Sequence, residues 1–201
     1  ANSAKSHTMV KAAKSGEDLK DCEVIVITAG IPRKPGMSRD DLLSTNAKIM
    51  QAVLEDIKKY APNSKIIIVS NPLDAMVYAA LKILKFPREH VIGMAGILDS
   101  ARMSHFICEK LGYGAGQIES SVMGGNGDAM VPLVNYSTVA GVSLPELLSK
   151  EDIEDIVTKT KNGGLQIVKL LETGSAYYAP AHATSLMVEA ILYNNKKIYP
   201  C

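Results

Sequence analysis

Gly93-Met94-Ala95-Gly96-Ile97-Leu98-Asp99-Ser100-Ala101-Arg102 carries an apolar run, residues 91–95, through a glycine into a helix that opens with Asp99. Residues three apart share a helix face. Asp99 and Arg102 therefore project together from the end of a strand, where open α/β sheets bind their ligands. The same pattern occurs twice upstream. Glu23-Val24-Ile25-Val26-Ile27-Thr28 and Lys65-Ile66-Ile67-Ile68-Val69 are β-branched runs of the kind buried in parallel sheets. Between them, Leu42, Leu43, Ile49, Met50, Val53, Leu54 and Ile57 fall mostly at three- and four-residue steps, which predicts a helix from Asp40 ended by Ala61-Pro62-Asn63. Residues 73–85 form a second helix, closed by Phe86-Pro87. Strand, helix, strand, helix, strand predicts a parallel α/β sheet with right-handed crossovers.

Downstream the texture changes. The helix after Leu98 runs through Met103, Phe106 and Ile107 and stops at Gly112. Residues 117–123 and 131–139 read as antiparallel strands around the turn Gly124-Gly125-Asn126-Gly127-Asp128, and two helices follow over 152–172 and 175–194. Gly163-Gly164 is costly inside the first of these, which predicts a kink or a close approach.

The chain has 201 residues, 47% hydrophobic and 21% charged, enough for one large domain or parts of two. A net charge of +1 gives no electrostatic case for nucleic acid or an anionic membrane surface, and no apolar run approaches a membrane span. Cys22, Cys108 and Cys201 are odd in number and widely spaced, which suits reduced thiols in a cytoplasmic protein and shows no metal-ligand spacing. The chain starts at Ala1 without Met and stops at Ile198-Tyr199-Pro200-Cys201, where another strand is expected to begin, so it reads as a fragment cut at both ends. Residues 1–21 are polar and read as a solvated segment with a short helix near Leu19.

Several polar groups fall at the expected strand ends. Ile31-Pro32-Arg33-Lys34-Pro35-Gly36-Met37-Ser38-Arg39 is a loop by its prolines and glycine. It is either a solvated basic loop or a lid that carries Arg33 and Arg39 onto an anionic ligand. Asn46 interrupts the register of its helix, as a surface amide often does. Asn71 precedes Pro72 and is biased toward extended backbone, which lets its side chain reach over the strand end. A proton-transfer site would want an imidazole at the centre of the Gly-rich turn, oriented by a carboxylate such as Asp99. The residue there is Asn126, an amide without useful basicity. The G-x-G-x-x-G phosphate signature is absent; Gly112-Tyr113-Gly114-Ala115-Gly116 has the wrong spacing and follows a helix. From the residues alone this is an α/β anion site with clustered arginines and no visible cofactor motif.

Thr28-Ala29-Gly30-Ile31-Pro32-Arg33-Lys34-Pro35-Gly36-Met37-Ser38-Arg39, Val69-Ser70-Asn71-Pro72-Leu73-Asp74, Gly96 to Arg102, and Gly124 to Asp128 together resemble the malate dehydrogenases of the lactate dehydrogenase-like family, in order and spacing, over essentially all 201 residues. The resemblance implies a partial Rossmann-type parallel sheet over residues 1–97, lacking its first βαβ unit, followed by a mixed α+β substrate domain over 98–201, truncated at its C-terminus. It implies NAD as cofactor, reversible oxidation of (S)-malate to oxaloacetate, and a homodimer or homotetramer. Arg102 would hold the substrate's α-carboxylate, Arg39 would polarise the reacting carbonyl, and Arg33 would bind the second carboxylate. Lactate-type enzymes usually carry glutamine at the Arg33 position. Asn46, Val69 and Ser70 would line the nicotinamide side, and Asn71 would face both cofactor and substrate. Ala176 replaces the threonine usual in lactate enzymes and would leave room for the longer acid. Asn126 stands at the position of the proton-accepting histidine that Asp99 would orient. It is an engineered or recording-level change, a natural decayed copy, or a site served by another base, for which His182 is the nearby candidate. The alternatives are a non-catalytic dicarboxylate-binding or subunit-interface homologue and a lactate-type 2-hydroxy acid dehydrogenase.

Overall fold

The computed structural model describes residues 7–32, 38–172 and 174–201, with residue 39 through its backbone alone. After a short 3-10 turn at Gly16–Leu19, strands β1 (Val24–Ile27), β2 (Lys65–Ile68) and β3 (Val91–Gly93) pair in parallel, in the order β1-β2-β3. Helices α1 (Arg39–Tyr60) and α2 (Leu73–Leu84) make the crossovers. Helix α3 (Gly96–Leu111) leads to the second part. There β4 (Ile118–Glu119), β7 (Thr138–Val139) and β8 (Val142–Ser143) form one antiparallel sheet, while β5 (Val122–Gly124) and β6 (Met130–Pro132) form a separate hairpin. Helices α4 (Leu144–Leu147), α5 (Lys150–Leu171) and α6 (Tyr178–Leu192) follow. The α/β class with a Rossmann-type parallel sheet is thus present, as the alternation of patterns indicates. Among the described residues no helix is long and apolar enough to cross a membrane.

Strand β2 organises the packing. Side chains alternate across a strand. Ile66 and Ile68 face Ile25 and Ile27 of β1, Met50, Leu54 and Ile57 of α1, and Met76, Ala80 and Leu84 of α2. Ile67 points the other way, into a cluster with Met94, Ile97, Leu98 and, from the far end of the chain, Ala183 and Met187 of α6. A parallel sheet needs cover on both faces. Helix α6 supplies the second cover, a long-range packing that the sequence pattern does not display. A further core joins Met103 and Ile107 of α3 to Ile118, Val122, Met130, Val139, Leu144 and Ile156.

Several boundaries differ from expectation, including α5 and α6, which run over Lys150–Leu171 and Tyr178–Leu192 where 152–172 and 175–194 were expected. Helix α1 begins at Arg39, so that residue opens a helix and does not belong to the loop. Ser38 Oγ accepts the Asp41 N–H at 3.0 Å and Asp41 accepts the Ser38 N–H at 3.1 Å, a reciprocal cap that captures the chain one residue early. Helix α3 begins at Gly96, three residues before Asp99, because the Ala95 carbonyl accepts the N–H groups of Leu98 and Asp99. The downstream strands are shorter than 117–123 and 131–139, since a 3-10 turn at Val134–Tyr136 interrupts the second run. Residues 198–201 form no strand.

Gly96 is a position where a close approach excludes other residues. A Cβ there would meet the Val122 carbonyl oxygen and lie 2.7 Å from Pro200 Cβ. Backbone cannot yield as a flexible side chain can. Gly96→Ala is expected to destabilise the chain by about 1–3 kcal/mol, the usual cost of overpacking. An unchanged urea midpoint would show that the start of α3 shifts freely away from β5.

Candidate active site

The carboxyl ends of β1 and β2 are joined by side-chain hydrogen bonds. Buried Ser70 Oγ donates to the carbonyls of Ala29 (2.6 Å) and Ile27 (3.3 Å), which stitches the end of β2 to the end of β1. Half-buried Val69 donates its N–H to Ile27 O at 2.9 Å. Asn46 is only 1% exposed, which overturns its reading as a helix-surface amide. Its Oδ1 accepts the Ile31 N–H at 2.8 Å, and its Nδ2 donates to Asn71 O at 2.6 Å and Ile31 O at 3.2 Å. One buried side chain therefore holds the segments that leave β1 and β2, each bond removing a polar group that would otherwise be buried unpaired. Gly30, at φ +149°, lets the backbone pass: a Cβ there would lie 3.2 Å from the Asn46 amide.

Asp99 and Arg102 meet on the first turns of α3. Arg102 Nη1 donates to Asp99 Oδ1 at 2.8 Å, with side-chain exposures of 19% and 4%. Burial pushes the Asp99 carboxyl above its ordinary range, and the attraction and hydrogen bond of Arg102 partly oppose this. The glycine pair in α5 explains where Arg102 fits. A Cβ at Gly163 would lie 3.2 Å from Arg102 Cδ, and one at Gly164 would lie 3.4 Å from Nη2. Of the two expected outcomes for this pair, a kink or a close approach, the close approach is found. A helix face without side chains leaves a channel for the guanidinium. That plane keeps a fork of N–H donors suited to a carboxylate.

The turn carrying residue 126 lies over the same edge. Asn126 Nδ2 donates to Asn71 Oδ1 at 3.2 Å, and its backbone N–H donates to Asp74 Oδ2 at 3.0 Å. The amide of residue 126 thus bonds to Asn71, while the partner described for Asp99 is Arg102. Asp74 escaped the sequence reading; its only signal is an acidic residue in the first turn of a helix, which the helix dipole alone accounts for. Arg33 lies outside the described residues, as does the side chain of Arg39. Ala176 is half-buried just before α6, and His182 is exposed on α6. Among the described residues no group of three or more His, Cys, Asp and Glu is arranged to hold a metal ion.

Residues 1–93 match the model of the lactate/malate dehydrogenase NAD binding domain, and residues 97–201 match that of the lactate/malate dehydrogenase alpha/beta C-terminal domain. The chain belongs to the lactate/malate dehydrogenase family. It is 63% identical over 196 residues to the malate dehydrogenase of Aliarcobacter butzleri, covering 98% of this chain and 62% of that protein. It is 62% identical over 201 residues to the malate dehydrogenase of Sulfurimonas denitrificans, covering 100% of this chain and 63% of that protein. The chain therefore spans somewhat less than two thirds of these relatives. Among solved structures it is similar to the apo malate dehydrogenase of Picrophilus torridus, at TM-score 0.90 and 47% identity, over 92% of this chain and 58% of that one. It is also similar to a Cryptosporidium parvum lactate dehydrogenase complexed with lactic acid and nicotinamide adenine dinucleotide, at TM-score 0.93 and 39% identity, over 98% of this chain and 64% of that one.

The Asp99 environment makes a signed prediction. A carboxyl whose pKa is raised on folding binds its proton more tightly in the folded chain. Its contribution to stability is full below the ordinary carboxylate value and is lost as pH rises through the raised one. Asp99→Asn removes that titration. The unfolding free energy of the parent minus that of Asp99→Asn should fall as pH rises from the ordinary carboxylate range toward neutrality. Urea titrations of both proteins across that range decide it; a difference that grows with pH would mean that Arg102 outweighs burial.

Proposed function

We propose that this chain is the greater part of an NAD-dependent malate dehydrogenase, acting reversibly on (S)-malate and oxaloacetate in the cytoplasm. The observation that carries the reading is Arg102, seated by Asp99 and the Gly163–Gly164 channel on the helix that follows β3. A guanidinium in that position suits the α-carboxylate of a 2-hydroxy acid. Arg33 would bind the second carboxylate and Arg39 would polarise the reacting carbonyl. Both follow β1 in the sequence. Ala176 would leave room for the longer acid.

The donor set fits the nicotinamide end of the cofactor. Asn46 draws the backbone after β1 and β2 together, and Gly30 leaves a cradle that a Cβ would crowd. Val69, Ser70 and Asn71 border that cradle. NAD, when bound, supplies the hydride acceptor. The chain's own residues bind and orient the acid through Arg33, Arg39, Arg102 and Asn71. Residues 1–97 would belong to the cofactor domain and 98–201 to the substrate domain. The first βαβ unit would lie beside β1, which among the described residues pairs on one edge only. Exposed Leu165, Val168 and Leu171 on α5 support a homodimer or homotetramer.

A second reading is favoured by Asn126. Where an imidazole would accept the hydroxyl proton, the amide accepts none at neutral pH. The chain would then bind dicarboxylates without turning them over.

A chimaera in which this chain replaces the matching segment of the Sulfurimonas denitrificans malate dehydrogenase separates the two. With Asn126 kept, oxaloacetate should bind while NADH oxidation stays slow. Asn126→His should raise the rate by roughly 10²–10⁴-fold and add a near-neutral limb to the pH profile. Equal rates for the two, with that limb already present, would assign the proton to another base, His182 included.

In the Asn126→His chimaera, Arg33→Gln should shift preference from oxaloacetate toward pyruvate. The lost charge-assisted pair is worth roughly 1.5–3 kcal/mol, so kcat/KM for oxaloacetate should drop by about tenfold or more. If oxaloacetate keeps its full advantage, Arg33 is only a solvated loop residue.

A further inference from the structure

We propose that Asp74 is a positioning residue: its carboxylate fixes the place of the 124–128 turn, and hence of the side chain at 126, over the carboxyl edge of the sheet. Its consequence for turnover rests on the functional reading above; the tether itself does not.

The turn's shape and its location have separate causes. Its shape comes from the hairpin. Gly124 and Gly127 adopt φ +83° and +90°, Gly125 N–H donates to Ala129 O, and Met130 N–H donates to Gly127 O. Its location comes from elsewhere in the chain. Asp74 Oδ2, 52 residues away, accepts the Asn126 N–H at 3.0 Å. A Cβ on Gly125 would sit 3.1 Å from the same oxygen, so the turn approaches the carboxylate more closely than most side chains would comfortably allow. Asp74 is itself held on a rigid element. Its neighbour Leu73 and Met76 one turn on are buried in the core under the sheet, and the helix N-terminus favours its negative charge.

The bond goes to backbone, so it acts on whatever side chain occupies 126. With the turn in this place, Asn126 Nδ2 reaches Asn71 Oδ1, on the residue that directly follows Val69-Ser70. A side chain working at hydrogen-bond range needs such support, because a displacement of an ångström removes it from reach. Asparagine at 74 would keep an acceptor oxygen at the same distance; alanine would remove it.

The test begins on the chain as it stands, by amide hydrogen exchange and side-chain amide resonances. Asp74→Ala should speed exchange at the Asn126 N–H by roughly tenfold or more and move the Asn126 Nδ2 resonances toward those of a free amide. Asp74→Asn should retain most of the protection. Unchanged exchange at Asn126 in Asp74→Ala overturns the tether. The second arm uses the Asn126→His chimaera, where Asp74→Ala should lower kcat several-fold with little change in KM for oxaloacetate, and Asp74→Asn should restore it. Lost protection with unchanged kcat overturns the positioning role. An Asn126→His chimaera without turnover overturns the functional reading instead, and the exchange result still decides the tether.

Discussion

Burial of β2 on both faces is the constraint from which the rest follows. Ile66, Ile67 and Ile68 are fully buried in succession, so two opposite layers must cover one strand. Crossover helices α1 and α2 supply one layer as a local consequence of parallel connection. The other layer comes from α6, which must return across the chain to place Ala183 and Met187 on Ile67. That return brings the later half of the chain against the sheet. Helix α3, which starts where β3 ends, takes part in the same cluster through Ile97 and Leu98. The hydrophobic requirement thus decides where Asp99 and Arg102 stand, with no reference to what they bind.

The ion pair then has to survive in that position. Withdrawing a carboxylate and a guanidinium from water is expensive, and removing one partner of a buried pair costs about 3–5 kcal/mol. Arg102 meets part of the need by holding Asp99, and the bare face at Gly163–Gly164 accommodates its stem and plane. The carboxyl still remains above its ordinary range, so desolvation outweighs the attraction. An ion pair with that balance is poor support for stability. What the pair does fix is the orientation of the guanidinium, held by Asp99 against the bare face of α5.

Much of this was legible in the sequence because the signals are local. The β-branched runs, the three-and-four spacing of α1 and the glycine at the end of α3 each follow from neighbouring residues. The Asp99–Arg102 pairing follows from helix geometry alone. What was not legible is long-range. Nothing near Asn46 shows that its amide is enclosed and joins Ile31 to Asn71; isolated polar residues in helices are more often outside. Asp74 reads as an ordinary first-turn acid until a segment 52 residues later arrives beside it. The glycine pair in α5 announced some close approach, but only the packing shows that Arg102 makes it. Arg39 was misplaced into a loop because the reciprocal cap of Ser38 and Asp41 starts the helix earlier than the acidic pair suggested.

The turn at residue 126 keeps its geometry without help from the side chain it carries. The bonds that shape and locate it are backbone N–H groups given to carbonyls and to a carboxylate, and none depends on the side chain at 126. An amide there donates to Asn71 and leaves the surrounding geometry in place. An imidazole would be a planar group of similar reach, with a donor and an acceptor in its neutral form. The two differ chiefly in basicity: one takes a proton near neutral pH and the other does not. Backbone geometry is therefore common to both proposed readings, the catalytic and the binding-only. That distinction rests on a single side chain which the packing of this protein leaves free to vary.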